Sequence, residues 1–300
     1  MAKTIKDKTQ ELDKYLKGIT PAAFNQLTLK AFFDDLKKNH IIPSELNYEN
    51  FIIILTKMKI IDPTKIKYVG TANSEREEFT RFAFNSPSAF SIGLSLRSKS
   101  YLSHNSALYI HGLIEKPPKE LCINKEQSKK EYLNDSTLTQ ESISRAFKNK
   151  PRQSKYIWKW KTHKFVFLNG KNTGDYSVIN LVLENGEKIR TTDLERTLVD
   201  IAVRPIYAGG VKKLIEFYSG AREKVSVKKI IKTLQKLNHK YPYHQSIGFL
   251  MEHSGYDKKE IDQLRKLGIQ YDFYLDYHME DNEYDPNWKL YYPKAYWHEN

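Results

Sequence analysis

The sequence predicts an α+β protein: an N-terminal winged helix-turn-helix with a leader helix, followed by a larger α+β domain with strands early and helices late. Two patterns lead to this prediction. Early in the chain, apolar residues recur at helical spacing and then alternate over two short stretches, as in helices followed by a hairpin. Beyond Ser86-Pro87-Ser88, short strand patterns precede a run of amphipathic helices. We place the boundary there, which gives domains of residues 1–86 and 87–300.

The first domain is predicted to consist of helices and one hairpin. Gly18 and Pro21 end the leader helix. Asn47 is a good N-cap, because its side chain can accept hydrogen bonds from the first-turn backbone N–H groups. The predicted elements are a leader helix over 6–19, a helix from Leu27, a short helix at 43–46, a helix after Asn47, and strands over 65–69 and 79–84.

A winged helix binds duplex DNA with its third helix in the major groove and its hairpin on the sugar–phosphate backbone. The residues predicted to contact DNA therefore lie on these two elements. They are Tyr48, Asn50, Lys57 and Lys59 on the helix, and Lys65, Lys67, Arg76 and Arg81 on the hairpin. Three glutamates near the hairpin turn favour the alternative, a module for dimerisation or protein docking.

The second domain is predicted to begin with a helix and three strands and to end with helices. A capping box of Thr192 and Glu195 starts the helix that Pro205 ends, and Gly209-Gly210 then turns the chain. The predicted elements are a helix within 101–113, strands at 121–124, 165–168 and 178–183, and helices that start near 194, 211, 227, 246 and 258.

The chain is basic, with 49 Lys and Arg against 36 Asp and Glu and a net charge of +13. Residues 145–171, the basic segment, enclose Trp158 and Trp160 and contain no acidic residue. The nine basic residues of this segment are Arg145, Lys148, Lys150, Arg152, Lys155, Lys159, Lys161, Lys164 and Lys171. One interpretation is a polyanion-binding surface, in which lysines displace counterions from phosphates and indoles stack on unpaired bases. The other is a solvated surface with its tryptophans in the core beneath. An acidic stretch, residues 272–285, either contacts the basic segment or keeps the C-terminus solvated.

Motifs of catalysis, cofactor binding and metal binding are not found. The chain has no G-x-x-x-x-G-K-[ST] phosphate loop and no G-x-S-x-G nucleophile elbow. Its single cysteine, Cys122, lies in an apolar stretch typical of a buried structural thiol, and the histidines lack metal-ligand spacing. We therefore predict a protein that is not an enzyme and uses no cofactor or metal. The N-terminus lacks an apolar signal region and no apolar run is long enough to cross a membrane, so a cytoplasmic location is expected.

One dense polar constellation lies in the second domain. Arg196 and Asp200, and Asp200 and Arg204, are four residues apart, so they can form a charge ladder on one helix. This ladder either fixes the helix against the Gly209-Gly210 turn or presents Arg204 to a nucleotide or an acidic partner.

Two segments carry a resemblance to a known family. Tyr101-Leu102-Ser103 through Ala107-Leu108-Tyr109-Ile110-His111-Gly112-Leu113 resembles the Y-x-S-x-x-S-A-L-x-x-H-G-L segment of AbiEi-type antitoxins. Arg196-Thr197-Leu198-Val199-Asp200, followed by Arg204-Pro205 and Gly209-Gly210, resembles a second segment of the same family. These are antitoxins of abortive-infection, type IV toxin–antitoxin systems, and the resemblance extends over nearly the whole chain.

The resemblance implies a function that the residues alone do not show. In this family the winged helix binds inverted repeats in its own promoter and represses the operon. The second domain counteracts a nucleotidyltransferase toxin encoded next door, in well-known members without a stable complex. It implies Asn50, Lys57 and Lys59 for reading duplex DNA, and Arg196, Asp200, Arg204, Gly209 and Gly210 for the antitoxin motif, in a protein that is monomeric or pairs on DNA. Two alternatives stay open: a nucleic-acid-processing or RNA-binding protein that uses the basic segment, and a ligand-sensing repressor.

Overall fold

The computed structural model describes residues 15–16, 22–70, 78–129 and 137–294, and its fold is mixed α+β. Strand β1 (Ala22–Phe24) leads into helix α1 (Gln26–Lys38), which Asn25 caps through a capping box with Thr28. Helix α2 (Tyr48–Lys57) begins after Asn47, whose side chain accepts from the Asn50 N–H at 2.8 Å, as predicted. Strands β2 (Ile61–Tyr68) and β3 (Glu78–Phe84) form the predicted hairpin.

Part of the N-terminal prediction is wrong or lies outside the described residues. Residues 43–46 form only a turn, closed by the Leu46 N–H on the Pro43 carbonyl, because four residues supply a single such bond. Strand β1 was not predicted, since three residues are too short for an alternating pattern. Of the leader helix, only Tyr15 and Leu16 are described, and both are helical.

The second part of the chain begins with short alternating helices and strands and ends mainly with helices. In order, these are α3 (Ala89–Leu94), β4 (Tyr101–Leu102), α4 (His104–Ile110), β5 (Glu120–Glu126), α5 (Gln140–Lys148), β6 (Ile157–Trp160), β7 (His163–Gly170), β8 (Val178–Val182), β9 (Lys188–Thr192), α6 (Leu194–Val203), α7 (Leu214–Ala221), α8 (Val227–Leu237), α9 (Tyr243–His253), α10 (Lys258–Arg265), β10 (Phe273–Tyr274), β11 (Asn282–Asp285) and β12 (Leu290–Pro293).

Several boundaries in this part differ from the prediction: the helices expected near 211 and 246 begin at Leu214 and Tyr243. Tyr101 and Leu102 belong to a strand rather than a helix, because they pair with β5 and β9, and α4 begins only at His104. The N-cap of α6 is Asp193, whose carboxylate accepts from the Arg196 N–H, and not Thr192. The Thr192 hydroxyl instead lies 2.8 Å from that of Thr197, because Thr192 ends β9 and is fully buried.

Nine strands of the described chain form one sheet in the order β1-β3-β2-β6-β7-β5-β4-β9-β8. The pairs β5–β7 and β4–β9 are parallel, and the others are antiparallel. The sheet continues across residue 86, because β2 pairs with β6 at Lys67 and Tyr68. The division into domains of residues 1–86 and 87–300 stays a prediction, and one sheet connects the two parts.

The two faces of this sheet are covered differently. On one face, Ile66, Trp158, Phe165 and Leu121 share a core with α3. The opposite face is covered by α1 and α2 at one end, over Ile61, Phe82 and Phe84, and by Tyr207 over Cys122, Val166 and Leu168 further along. Between these two covers the face is exposed.

A helical layer of α6 to α10 forms the largest core, to which α5 and a second, three-stranded sheet of β10, β12 and β11 also contribute. The acidic stretch 272–285 is part of this small sheet and its connections. Trp288 is fully buried and lies against Gly248 of α9. No helix of the described chain is long and apolar enough to cross a membrane.

Candidate functional site

Strand pairing brings together lysines that are far apart in the sequence. Lys67 of β2 lies opposite Lys159 of β6, and Lys159 lies opposite Lys164 of β7. Directly opposed residues point to the same face of a sheet, and neighbouring strands are about 4.8 Å apart. Lys65, two residues before Lys67, shares this face. We call Lys65, Lys67, Lys159 and Lys164 the lysine row.

The lysine row lies on the exposed part of the sheet face and is only partly neutralised. Lys65 and Lys67 contact Glu78 at 3.1 and 3.3 Å, and Lys164 lies 3.9 Å from Glu120. Hydrogen bonds from the two hairpin lysines lower the pKa of Glu78. All these side chains are exposed to solvent, where such ion pairs stabilise little and exchange readily for other anions.

The residues predicted to read DNA on α2 divide into exposed and structural groups. Asn50 and Lys57 are exposed on the helix. Tyr48 instead packs edge-to-face on Phe33 and donates its hydroxyl to the Gln26 carbonyl at 3.2 Å. Lys59 is exposed but lies beyond the end of α2, with φ of 57°.

Among the hairpin candidates, Lys65 and Lys67 are exposed, whereas Arg76 lies outside the described residues. The prediction that Arg81 contacts phosphate is wrong for this structure. Its side chain is buried, and its guanidinium donates to the carbonyls of Thr80, Ser95 and Leu96. Arg81 lies on the sheet face that α3 covers, opposite to the lysine row, because strand side chains alternate between faces.

The basic segment separates into three parts. Arg145 and Lys148 are on α5, Lys150, Arg152 and Lys155 are on the loop before β6, and Lys159, Lys161 and Lys164 are on β6, β7 and their turn. Trp158 and Trp160 are buried, at 6% and 8% exposure. The interpretation in which these rings fill the core is therefore confirmed, and they are not placed to stack on bases.

The acidic stretch contacts the start of the basic segment without an ion pair among the described residues. The His278 N–H donates to the Phe147 carbonyl at 2.7 Å, and the Tyr277 ring stacks on Phe147 at 4.2 Å between centroids. Asp276 is near the basic loop, and burial raises the pKa of its carboxyl group. The contact is therefore made mainly by rings and backbone.

The two segments singled out in the sequence meet in space. The Arg196 guanidinium donates to Asp200 at 2.9 Å and to the Tyr176 carbonyl at 2.9 Å, and both charged side chains are about nine-tenths buried. His111 of the first segment bonds through Nε2 to the Thr192 carbonyl at 2.8 Å, directly before α6. A buried pair of this kind fixes α6, and removing one partner would leave an uncompensated charge.

The predicted charge ladder stops after its first step. Asp200 pairs with Arg196, whereas Arg204 is exposed and its guanidinium makes one described hydrogen bond, of 3.5 Å, to the Arg152 carbonyl. The reason is local: α6 ends at Val203, and Arg204 has left the helical conformation with φ of −140°. Gly209 and Gly210 then turn the chain with φ of 86° and 94°, where a side chain would be strained.

A polar network connects the first segment to the loop after β7. The Tyr101 hydroxyl accepts a hydrogen bond from the side-chain Nδ2 of Asn124 at 2.5 Å. The side-chain Oδ1 of Asn124 accepts one from the Gly170 N–H at 2.9 Å. Burial raises the pKa of Tyr101, so its hydroxyl stays protonated. Glu126 accepts from the Thr173 N–H at 2.7 Å and holds the far end of the same loop.

These elements enclose a cleft of about 840 Å³. Its wall carries five cations, Arg152, Lys155, Lys171, Arg196 and Arg204, and a single carboxylate, that of Asp200. All six belong to a motif or a segment that the sequence marks, but only the structure brings them together in one cleft.

Two histidines line the cleft and report its electrostatics. Burial, followed by the cations Arg204 and Arg196 and opposed by Asp200, lowers the pKa of His104 to about 4. The pKa of His239 is also lowered to about 4. Burial is the largest cause, the cations Arg196, Lys171 and Arg204 add to it, and the carboxylate of Asp200 opposes it. Both rings are therefore neutral at pH 7. Sequence reasoning missed His239, since no motif surrounds it.

Cysteine or metal chemistry has no support among the described residues. Cys122 is fully buried, and burial raises the pKa of its thiol. The part of the chain that the structure describes contains no group of three or more His, Cys, Asp or Glu that could hold a metal ion.

No family model and no curated protein matches this chain. Among solved structures, the crystal structure of RV2827C protein from Mycobacterium tuberculosis is similar over 95% of this chain and 91% of that chain, with a TM-score of 0.55 and 12% sequence identity. At this identity the similarity concerns the overall fold alone.

Proposed function

We propose that this chain is a non-enzymatic antitoxin of a type IV toxin–antitoxin system. It neutralises a nucleotidyltransferase toxin and represses its own operon by binding inverted repeats in the promoter. The observation that carries the proposal is the packing of the two segments that resemble AbiEi-type antitoxins. Leu108 of the first segment shares a core with Leu198 and Val199 of the second, and His104 lines the same cleft as Arg196 and Asp200. Segments that form one packed unit are expected to occur together, which favours a family relationship over two chance similarities.

The repressor half of the proposal draws on the N-terminal elements. The order β1, α1, α2 and hairpin, with β1 paired to β3, supports the proposal that these elements act as a winged helix on DNA. Helix α2 packs on Ile61, Phe82 and Phe84, and by strand register these belong to the same sheet face as the lysine row. Asn50 and Lys57 would read the major groove while the lysine row binds phosphates of the same duplex.

The RNA-binding alternative is less well supported. It required Trp158 and Trp160 to stack on unpaired bases, and both rings are buried in the core under α3. A surface of lysines without exposed rings fits the regularly spaced phosphates of a duplex better than splayed single strands.

The two activities should separate by mutation in the full chain. Lys67→Ala, Lys159→Ala and Lys164→Ala together remove three phosphate contacts, which reduces the slope of log affinity against log salt by about 3 for a promoter duplex. Growth rescue during induction of the neighbouring open reading frame, with the antitoxin expressed from an independent promoter, should stay intact. Arg204→Ala should show the reverse: lost rescue and retained DNA binding.

A matched control removes the same charge elsewhere. Lys228, Lys232 and Lys236 lie on the exposed side of α8, away from the sheet face. Replacing all three by alanine should change neither the salt dependence of promoter affinity nor growth rescue. A harmless neighbouring protein, or a parent chain whose promoter affinity does not depend on salt, would refute the proposal. Loss of rescue in the lysine-row variant would refute the division of labour.

A further inference from the structure

The cleft between the two antitoxin-like segments has the dimensions of a ligand site. Its volume of about 840 Å³ falls within the range of about 300–1,000 Å³ that small-molecule sites occupy. Its wall includes Leu168, Val203 and Leu237 beside the charged groups, so apolar surface and cations alternate around the space.

The charges inside the cleft are unbalanced. Asp200 is already paired with Arg196 at 2.9 Å. Arg152, Lys155 and Arg204 make no ion pair with any described residue, and their side chains are exposed at the cleft. Lys171 donates to the Asn238 carbonyl at 2.8 Å, which holds its ammonium at the end of α8. Several cations around one cleft, without matching carboxylates, favour a ligand with more than one negative charge.

One buried polar atom in the wall lacks a partner. His239 Nε2 is inaccessible to solvent and makes no hydrogen bond with the described residues. Buried polar groups in folded proteins are nearly always hydrogen-bonded, so this nitrogen is an exception within the wall. Burial, followed by the neighbouring cations, keeps the ring neutral, so the wall carries an uncharged ring beside its cations.

Aromatic rings occur beside these cations. Tyr156 is 43% exposed, with the Arg97 guanidinium 5.4 Å from its ring centre, and Tyr68 lines the same cleft. An exposed tyrosine face is a surface on which a planar base can stack. Cations, a neutral histidine ring and two tyrosine rings therefore border one cleft.

We propose that this cleft binds a free nucleoside di- or triphosphate. Arg152, Lys155 and Arg204 bind its phosphates, and Tyr156 supports its base. Arginine is well suited to this role, because its planar guanidinium bonds two phosphate oxygens at once. The proposal concerns what the cleft binds and does not depend on the antitoxin activity, since binding is measured on the purified chain without a toxin.

The test is isothermal titration of the purified full chain with ATP, GTP, CTP and UTP at moderate salt, with pyrophosphate and a short oligoribonucleotide as comparison ligands. At least one nucleotide should bind with one-to-one stoichiometry and more tightly than pyrophosphate. Arg152→Ala with Arg204→Ala should weaken that nucleotide by about tenfold or more, because two charge-assisted contacts are lost. Circular dichroism spectra should be unchanged, since both side chains are exposed.

A control of equal charge distinguishes a site from general attraction. Lys228→Ala with Lys232→Ala removes two charges from α8 outside the cleft and should leave the dissociation constant unchanged. Equal weakening in both variants, or no binding of any nucleotide, would overturn the proposal. If pyrophosphate binds as tightly as a nucleotide, the cleft recognises phosphates without a nucleoside, which overturns the proposal. If only the oligoribonucleotide binds, the ligand is RNA and not a free nucleotide, which also overturns it.

Discussion

The guanidinium of Arg81 is held by three carbonyl oxygens, those of Thr80, Ser95 and Leu96, where β3 passes the end of α3. Burial lowers its pKa, yet it remains charged near neutral pH, because an arginine is deprotonated only far above that range. Lys65, on the paired strand, is exposed on the other face. Two basic residues on one hairpin thus have opposite roles, and the direction of the side chain relative to the sheet decides between them.

The cleft histidines make stability depend on pH. His104 and His239 have pKa values of about 4 in the folded chain, against about 6.5 for an ordinary histidine. Below pH 6.5 the unfolded chain binds protons that the folded chain does not, so the free energy of unfolding falls as the pH decreases towards 4. Each histidine contributes about 1.4 kcal/mol per pH unit in this window.

Urea unfolding at about pH 7 and about pH 5 measures this dependence. His239→Gln and His104→Asn, each alone, should reduce the loss of stability between these conditions by about 2 kcal/mol. Asparagine is chosen at position 104 because φ there is 49°, a conformation that asparagine adopts more readily than most residues. A variant with the same loss of stability as the parent chain would show that the ring is not buried as a neutral group.

At the scale of elements, the small C-terminal sheet is attached to the helical layer through Trp288. Its indole N–H donates to Glu252 of α9 at 2.5 Å, and the Arg265 guanidinium lies 4.6 Å from its ring. A Cβ atom placed on Gly248 would approach the Trp288 ring to 2.0 Å. The absence of a side chain at position 248 therefore creates the space that the indole fills.

Gly248→Ala should lower the free energy of unfolding by about 2–3 kcal/mol, because the ring and α9 cannot both keep their positions. Chemical denaturation of the full chain measures the effect. Gly220→Ala in α7 is the matched control, since its added Cβ meets only a Leu113 methyl group at 3.1 Å and alanine favours a helix by about 1 kcal/mol. Equal destabilisation by both variants would contradict this account of the Trp288 contact.

Element boundaries differ in how well local sequence predicts them. The cap at Asn47 and the start of the helix at Val227 depend on residues within one or two turns, and the structure has both where the sequence predicts them. The sequence wrongly predicts a helix at Tyr101–Leu102, because the pairing partners of this strand, Asn124 and Thr191, are remote in the chain. Short strands gain their stability from neighbours, and their own sequence carries little signal.

For the whole molecule, the connection between the N-terminal elements and the rest is a continuous sheet and not a flexible linker. Ile66 and Ala83 of the hairpin share a core with Phe90, Trp158 and Phe165 of the second part. Removing residues 1–86 would expose this core and leave the edge of β6 without its partner. A truncated chain is consequently a poor reagent for separating the two activities, and point variants of the full chain are preferable.

This connection predicts cooperative unfolding. Far-ultraviolet circular dichroism, which follows the helices of the whole chain, and fluorescence, to which the junction residues Trp158 and Trp160 contribute, should show one transition with the same urea midpoint. The physical reason is that neither part can lose its structure without exposing apolar surface of the other. An earlier transition seen by one probe alone would show that the parts fold independently and would favour the boundary at residue 86.

The sequence by itself determined the mixed α+β class, most helices of the second part, the hairpin and the location of the basic segment. These follow from side-chain periodicity and from caps that act over a few residues. Only the tertiary structure decided that Arg81 and Trp158 are buried, that Lys67, Lys159 and Lys164 form one row, and that His239 faces the cations of the cleft. Strand register and helix packing bring distant residues together, and these depend on burying apolar surface across the whole sheet, which no local pattern encodes.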